Sequence, residues 1–103
     1  MNPQKAQASN TAVTGMLLVD KIKARVLFDS EATHSFISPY YARKLARDKI
    51  IMKTPLAIST PLEKIIEVKY VYPTCMVEVN EKVLPADLVE LAVLDFDVIL
   101  GMD

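Results

Sequence analysis

One aspartate follows an apolar run in this chain and is the residue best placed to do chemistry. Residues 26–28 are apolar and lead directly into Asp29, and the hydroxyl residue Ser30 comes next. In an alternating strand, Leu27 and Asp29 share one face, so this carboxylate is not a plain surface charge. A carboxylate presented at a strand end beside apolar groups is a candidate for acid–base chemistry.

The other polar residues have simpler interpretations. Ser30 has no base placed to activate it as a nucleophile, and by itself it is typical of a turn. His34, the sole histidine, is better explained as a hydrogen-bonded loop residue than as a general base. Asp97 and Asp103 are expected to be solvated charges at strand ends or helix starts rather than metal ligands. Cys75, the only cysteine, lies in an apolar alternating run and is expected to be a buried structural thiol.

The elements that must position Asp29 are mostly strands. Residues 15–19 and 21–28 predict a hairpin that turns at Asp20-Lys21. Ser38 and Pro39 predict a helix start, followed by good helix formers to about residue 47. Further strands are expected at residues 56–59, 65–72, 75–79, 83–91 and 96–101, and Pro73 is expected to close the second of these.

Many short strands with a single helix predict an all-β fold, a small closed or partly closed barrel with one short helix near residues 39–47. We expect a flexible leader over residues 1–13 and one domain over residues 14–103. The length of 103 residues allows one small domain and no more.

Composition excludes several classes of protein. The formal net charge is −1 and the basic residues are scattered among acidic ones, which argues against direct binding of nucleic acid. The apolar runs are too short to span a bilayer, and the N-terminus lacks the hydrophobic segment of a signal peptide. We therefore expect an intracellular, cytoplasmic protein without a membrane segment. A single cysteine makes neither an intrachain disulfide nor a metal cage.

Two motifs together resemble a known family. The first is Val-Leu-Phe-Asp-Ser at residues 26–30, continued by Ala-Thr-His-Ser-Phe-Ile at residues 32–37. The second, Asp-Val-Ile-Leu-Gly-Met-Asp, occupies residues 97–103. Both resemble the retropepsin-like aspartic proteases of plant gypsy-type LTR retrotransposons, and the resemblance covers about residues 14–103.

The resemblance implies a function and a mechanism. It implies an aspartic endopeptidase domain of a retrotransposon polyprotein that works as a homodimer, with Asp29 of each copy in one shared site. Two carboxylates about 3 Å apart cannot both ionise, so one keeps a proton while the other activates a water. Such a site needs no metal and no organic cofactor, and its partners are a peptide or polyprotein substrate and a second copy of the chain.

The resemblance also assigns supporting residues. The loop that supports the catalytic aspartate corresponds to Ser30, Glu31, Ala32 and Thr33, with Ser30 bonding across the dimer. The flap that closes over substrate corresponds to Pro61, Leu62, Glu63 and Lys64. The apolar strand that passes beneath the loop corresponds to Val98, Ile99, Leu100 and Gly101, whose glycine lets the backbone approach closely.

Three features of the chain differ from the family pattern. Glu31 stands where the family has the glycine after Asp-Ser, and Glu63 stands where the flap tip usually has glycine. Glutamate at position 31 adds bulk and like charge beside a pair that must hold one proton, which disfavours activity. The sequence stops at Asp103, before the family's C-terminal helix and tail, so we expect part of the family domain to be absent and the dimer to be weak.

An alternative function therefore stays open. The chain could be a decayed, catalytically inactive barrel that acts at most as a peptide-binding or dimerisation module. Glu31 favours this alternative, whereas the intact Asp29-Ser30 pair favours the protease.

Overall fold

Strands make up most of the structure. The computed structural model describes residues 12–30, 32–59, 65–92 and 95–101. Within these residues the strands are β1 (Ala12–Val19), β2 (Ile22–Asp29), β3 (Ser35–Ile37), β4 (Ile50–Ser59), β5 (Ile65–Val79), β6 (Lys82–Glu90) and β7 (Val98–Gly101). The helix α1 (Pro39–Ala42) continues as a 3-10 turn (Arg43–Leu45).

The strands close into a barrel. Neighbours follow the order β1-β2-β7-β3-β6-β5, and β5 then pairs back with β1 through Leu18 opposite Glu78 and Val19 opposite Val77. β4 extends the sheet beyond this ring by pairing with β5. The β2–β7 and β3–β6 pairs are parallel, and the other pairs are antiparallel. The predicted small barrel with one short helix is confirmed.

The sheet carries apolar residues on both faces. One face encloses a cluster that we call the barrel core, whose buried members are Val19, Ala24, Val26, Ile37, Tyr41, Ala42, Leu45, Tyr72, Cys75, Val77, Leu88 and Val98. The other face carries a second cluster, the outer cluster, formed by Phe36, Val68, Val89 and Leu91 with Met52, Leu56, Ile58, Ile66, Val71 and Ile99 packed against it. A sheet buried on both faces favours the continuous apolar runs that this sequence contains.

Two tight turns adopt the left-handed backbone without glycine. Asp20 and Lys21 have φ values of 49° and 71°, and Asn80 and Glu81 have values of 50° and 69°. Positive φ at both central residues is the pattern of the type I′ turn, which matches the twist of a hairpin. Asp20 is held there because its N–H donates to the Met76 carbonyl at 2.8 Å and its Oδ1 accepts from the Met76 N–H at 2.9 Å.

Pro73 lies inside β5, so the prediction that it closes the strand is wrong. The register of β5 against β6 shifts between Tyr72 and Cys75, and Thr74 in this bulge has a φ of 54°. A proline is tolerated at a bulge because no ladder bond needs its missing N–H. Side chains satisfy the other polar groups: Asp87 accepts from the Thr74 N–H, and Arg47 donates to the Pro73 and Thr74 carbonyls.

The helix ends earlier than the sequence predicts, and Arg47 shows why. Ser38 caps the helix as predicted, with its Oγ accepting from the Tyr41 N–H at 3.1 Å. The helical segment stops at Leu45, and Ala46 turns left-handed with a φ of 53°. This change of direction brings the Arg47 guanidinium within 2.8 Å of the Asp20 carboxylate. Arg47 thus ties the β1–β2 turn to the bulge of β5.

Other strand bounds also differ from the prediction. β1 begins at Ala12, two residues before the expected start of the domain, whereas residues 1–11 of the expected leader lie outside the described residues. β4 begins at Ile50 rather than at residue 56, because the segment before Pro55 still pairs with β5. β3 was not predicted, and β7 begins at Val98 rather than at residue 96.

Two weakly acidic groups, the Tyr41 hydroxyl and the Cys75 thiol, belong to the barrel core and are buried there in their protonated form. The Tyr41 hydroxyl donates to the Ile22 carbonyl at 2.7 Å, and burial together with Asp97 and Asp20 raises its pKa. Burial raises the pKa of the Cys75 thiol from 9.0 to about 11, although nearby Arg47 lowers it somewhat. The expected structural role of Cys75 as a buried thiol is confirmed, since its side chain is fully buried.

We therefore predict a loss of stability at alkaline pH. Both groups have a pKa above the ordinary value, so their contribution is complete below about pH 9 and declines as the pH rises towards 11. The midpoint of urea unfolding should fall over this interval, and Cys75→Ala should reduce the fall. A midpoint that is constant from pH 8 to 11 would contradict the assigned burial of both groups.

Candidate active site

Asp29 is the last residue of β2 and lies between two neighbouring strands. Ala12 of β1 pairs with it on one side and Gly101 of β7 on the other. The residue is half-buried, and Ser30 after it is exposed. The Ala32 N–H donates to the Asp29 carbonyl at 3.1 Å, which closes a tight turn directly after the strand. Glu31 lies outside the described residues.

Alternation along β2 decides which face carries Asp29. Val26 and Phe28 contribute to the barrel core, so Leu27 and Asp29 point to the opposite face. A cross-strand row on that face runs through Leu27, Ile99, Phe36, Val89 and Val71. Directly paired residues present their side chains on the same side of a sheet. Asp29 therefore stands at the edge of an apolar surface formed by the outer cluster.

Gly101 lets β7 pass directly against the loop that follows Asp29. A Cβ atom at this position would lie 2.6 Å from the Ala32 carbonyl oxygen and 2.8 Å from that of His34. Both distances are too short for a carbon atom, and both involve backbone atoms that cannot move aside without moving the loop. A side chain at position 101 is thus incompatible with the observed conformation of residues 32–34.

Polar side chains of the loop fix its ends. Ser35 accepts a hydrogen bond from the Gly101 N–H through its Oγ at 3.0 Å, which joins β3 to β7. The Thr33 Oγ1 and the His34 Nδ1 lie 3.1 Å apart, and both side chains are exposed. His34 is a hydrogen-bonded loop residue, as the sequence predicted. These contacts hold the loop between Asp29 and the start of β3.

Asp97 has a structural role that the sequence did not reveal. Its carboxylate accepts from the Arg25 N–H at 2.8 Å, its own N–H donates to the Arg25 carbonyl at 3.0 Å, and its carbonyl accepts from the Ser38 N–H at 2.9 Å. Asp97 lies directly before β7 and is half-buried, in keeping with the expected strand-end charge, but its carboxylate is also bound to the backbone. Asp97 fixes the start of β7 against β2 and so sets the register that brings Gly101 beside Asp29.

A groove of about 530 Å³ adjoins the loop on the same face. Its wall includes Val71 and Val89 from the apolar row, together with Gly101 beside Asp29. Thr33, His34, Met52 and Asp87 also line it. Sequence reasoning did not assign Asp87 to a site, because no local pattern shows that β6 lies next to β3.

The structure describes some of the predicted site residues but not others. Ala32 and Thr33 lie in the loop, and Val98, Ile99, Leu100 and Gly101 form β7. The predicted flap, residues 61–64, lies outside the described residues. The strands on either side of it, β4 and β5, are paired as far as Ser59 opposite Ile65.

The described residues show neither a metal site nor a membrane-spanning helix. Within the part of the chain that the structure describes, no group of three or more histidine, cysteine, aspartate or glutamate side chains is placed to hold a metal ion. No helix in the same residues has the length and apolar character needed to cross a membrane.

Comparison with known proteins shows the family. The model of the family described as retroviral aspartyl protease matches residues 1–103. Because this match spans the whole sequence, the chain belongs to the retroviral aspartyl protease family. No curated protein sequence matches the chain significantly.

Solved structures share the fold at low sequence identity. EIAV protease, solved in complex with the inhibitor HBY-793, superposes with a TM-score of 0.68 and 15% identity, over 94% of this chain and 88% of that one. The retroviral protease-like domain of Ddi1 from Leishmania major gives a TM-score of 0.65 and 14% identity, over 92% of this chain and 75% of that one. Both similarities establish the retropepsin-like fold.

The two glycines of the chain offer a matched test of the loop packing. Gly101→Ala should lower the free energy of unfolding by about 1–3 kcal/mol, because the added methyl group displaces backbone. Gly15→Ala is the control, since its Cβ would meet only Phe28 Cε2 at 3.7 Å, an ordinary contact. Thermal unfolding of both variants measures the difference, and equal midpoints would refute the close approach at Gly101.

Proposed function

We propose that this chain is an aspartic endopeptidase domain that acts as a homodimer, with the Asp29 carboxylates of two copies sharing one water. One observation carries the proposal: Asp29 ends β2 beside Gly101, on the apolar face of a retropepsin-like barrel. Membership of the retroviral aspartyl protease family supports the same reaction. The likeness of residues 26–37 to plant gypsy-type elements supports a retrotransposon polyprotein as substrate.

The proposed mechanism depends on one shared proton. When two carboxylates lie about 3 Å apart, one remains protonated because two like charges at that distance repel strongly. The ionised carboxylate takes a proton from the bound water, which attacks the peptide carbonyl, while the protonated carboxyl donates to the carbonyl oxygen. One copy supplies only half of this pair, so the site requires a second copy.

The apolar row beside Asp29 supports a substrate with apolar side chains near the scissile bond. Leu27, Ile99 and Phe36 are adjacent across three strands and share Asp29's face of the sheet. An extended peptide laid over this surface would bury its apolar side chains there, at about 25 cal/mol for each Å² removed from water. The same surface would help to exclude water from the carboxylate pair.

Removal of the Asp29 carboxylate gives the first test of this function. Cleavage of a peptide library should be strongest at acidic pH, where the pair retains its one proton, and Asp29→Asn should reduce the rate by at least about 100-fold. Asp48→Asn is a suitable control, because Asp48 is exposed and lies outside the groove. Cleavage that survives in Asp29→Asn would exclude the proposed mechanism.

A substitution at position 31 distinguishes the proposed protease from the alternative function, an inactive barrel. We predict that Glu31→Gly raises the cleavage rate at least about tenfold, because it removes a bulky, negatively charged side chain two residues after Asp29 in the sequence. Both chains should be assayed with the same peptides. Activity absent from the wild type and restored by Glu31→Gly would identify a decayed protease, whereas no activity in either chain would favour a non-enzymatic module.

Mixed dimers test whether two copies share one site. The total concentration of chains is held fixed while the share of Asp29→Asn chains is increased. Activity should then fall with the square of the wild-type fraction. An active site within one copy would instead give a linear decline. Sedimentation of the same mixtures shows whether the chains associate at the assay concentration.

A further inference from the structure

The groove beside the Asp29 loop combines one carboxylate with an apolar wall. Asp87 on β6 is exposed and lines the groove together with Met52, Val71 and Val89. Asp87 and Val89 are two residues apart on one strand, so their side chains point to the same face. Gly101 is part of the same wall and pairs with Asp29, which places the groove next to the proposed catalytic carboxylate.

The Asp87 carboxylate is held in place by a backbone hydrogen bond. Its Oδ1 accepts from the Thr74 N–H at 2.8 Å, in the bulge of β5. The ion pairs among the described residues use other acids, with Arg47 on Asp20, Lys49 on Glu90 and Lys21 on Glu78. Asp87 therefore presents a negative charge to the groove without a cationic side chain from the described part of the chain.

We propose that this groove binds the side chain of a lysine or arginine in the peptide that lies over Asp29. This inference rests on the proposed function and assigns a substrate preference to it. The long aliphatic stem of a basic side chain can pack against Met52, Val71 and Val89, while its charged head reaches Asp87. An acidic side chain would meet the repulsion of the same carboxylate, and a short apolar one would leave the carboxylate without a cationic partner.

The remaining lining residues are compatible with this occupant. Thr33 and His34 contact each other at 3.1 Å and add polar hydrogen-bonding groups to the wall. Ser35 uses its Oγ to accept from the Gly101 N–H. Asp87 is the one carboxylate among the described residues that line the groove.

Three peptides that differ at one position test the preference. Each has apolar residues around a central peptide bond and carries lysine, norleucine or glutamate at a position scanned along the chain. Norleucine keeps the aliphatic stem of lysine without its charge. At the best position, the full wild-type chain should bind the lysine peptide about three- to fivefold more tightly than the norleucine peptide and should bind the glutamate peptide most weakly. Raising the salt concentration should reduce the difference.

Asp87→Asn is the decisive variant because its side-chain oxygen can still accept from the Thr74 N–H while the charge is lost. It should bind the lysine and norleucine peptides equally, whereas Asp48→Asn should keep the preference. Equal binding of these peptides by the wild type, or an undiminished preference in Asp87→Asn, would overturn the inference. A preference for lysine without any cleavage would uphold the inference and contradict the proposed function, and no binding of any peptide would overturn both.

Discussion

The close approach of β7 to the loop after Asp29 is the constraint on which the rest of the site depends. Residue 101 lies so near the Ala32 and His34 carbonyl oxygens that only glycine fits. The parallel pairing of β2 with β7 then sets Gly101 beside Asp29, and the turn bond from Ala32 fixes the carbonyl of Asp29 itself. Position 29 is thus defined by backbone contacts on both sides.

Contacts between distant parts of the sequence maintain this constraint. Asp97 holds the start of β7 to Arg25 and to Ser38, and Arg25 also lies over the Phe96 ring at 4.9 Å. Arg47 likewise joins the Asp20 turn to the bulge of β5. These side chains form hydrogen bonds with backbone groups that the irregular strands leave unpaired. An unpaired buried backbone group would lower the stability of a small barrel.

Local signals allowed much of the fold to be predicted. The hairpin turn at Asp20 and the helix start at Ser38 follow from residues that lie within a few positions of one another. The course of β5 through Pro73 could not be predicted, because the groups that satisfy the bulge come from Asp87 and Arg47, 13 and 26 residues away. The early end of the helix depends on the same arginine.

Some residues of the candidate site could also be predicted from the sequence, and others could not. Asp29 and Gly101 stand out in the sequence because each belongs to a recognisable motif. Asp97 and Asp87 do not, since their importance arises only when strands distant in sequence become neighbours. The resemblance to a family therefore indicated the candidate carboxylate, whereas the register of the sheet was needed to find the groove beside it.

A crystal structure of the chain at acidic pH, with a non-cleavable peptide analogue, would examine the central claim most directly. Our account predicts two copies related by a two-fold axis, with their Asp29 carboxylates about 3 Å apart beneath the peptide. A peptide bound elsewhere, or two Asp29 carboxylates that face solvent far from one another, would contradict it.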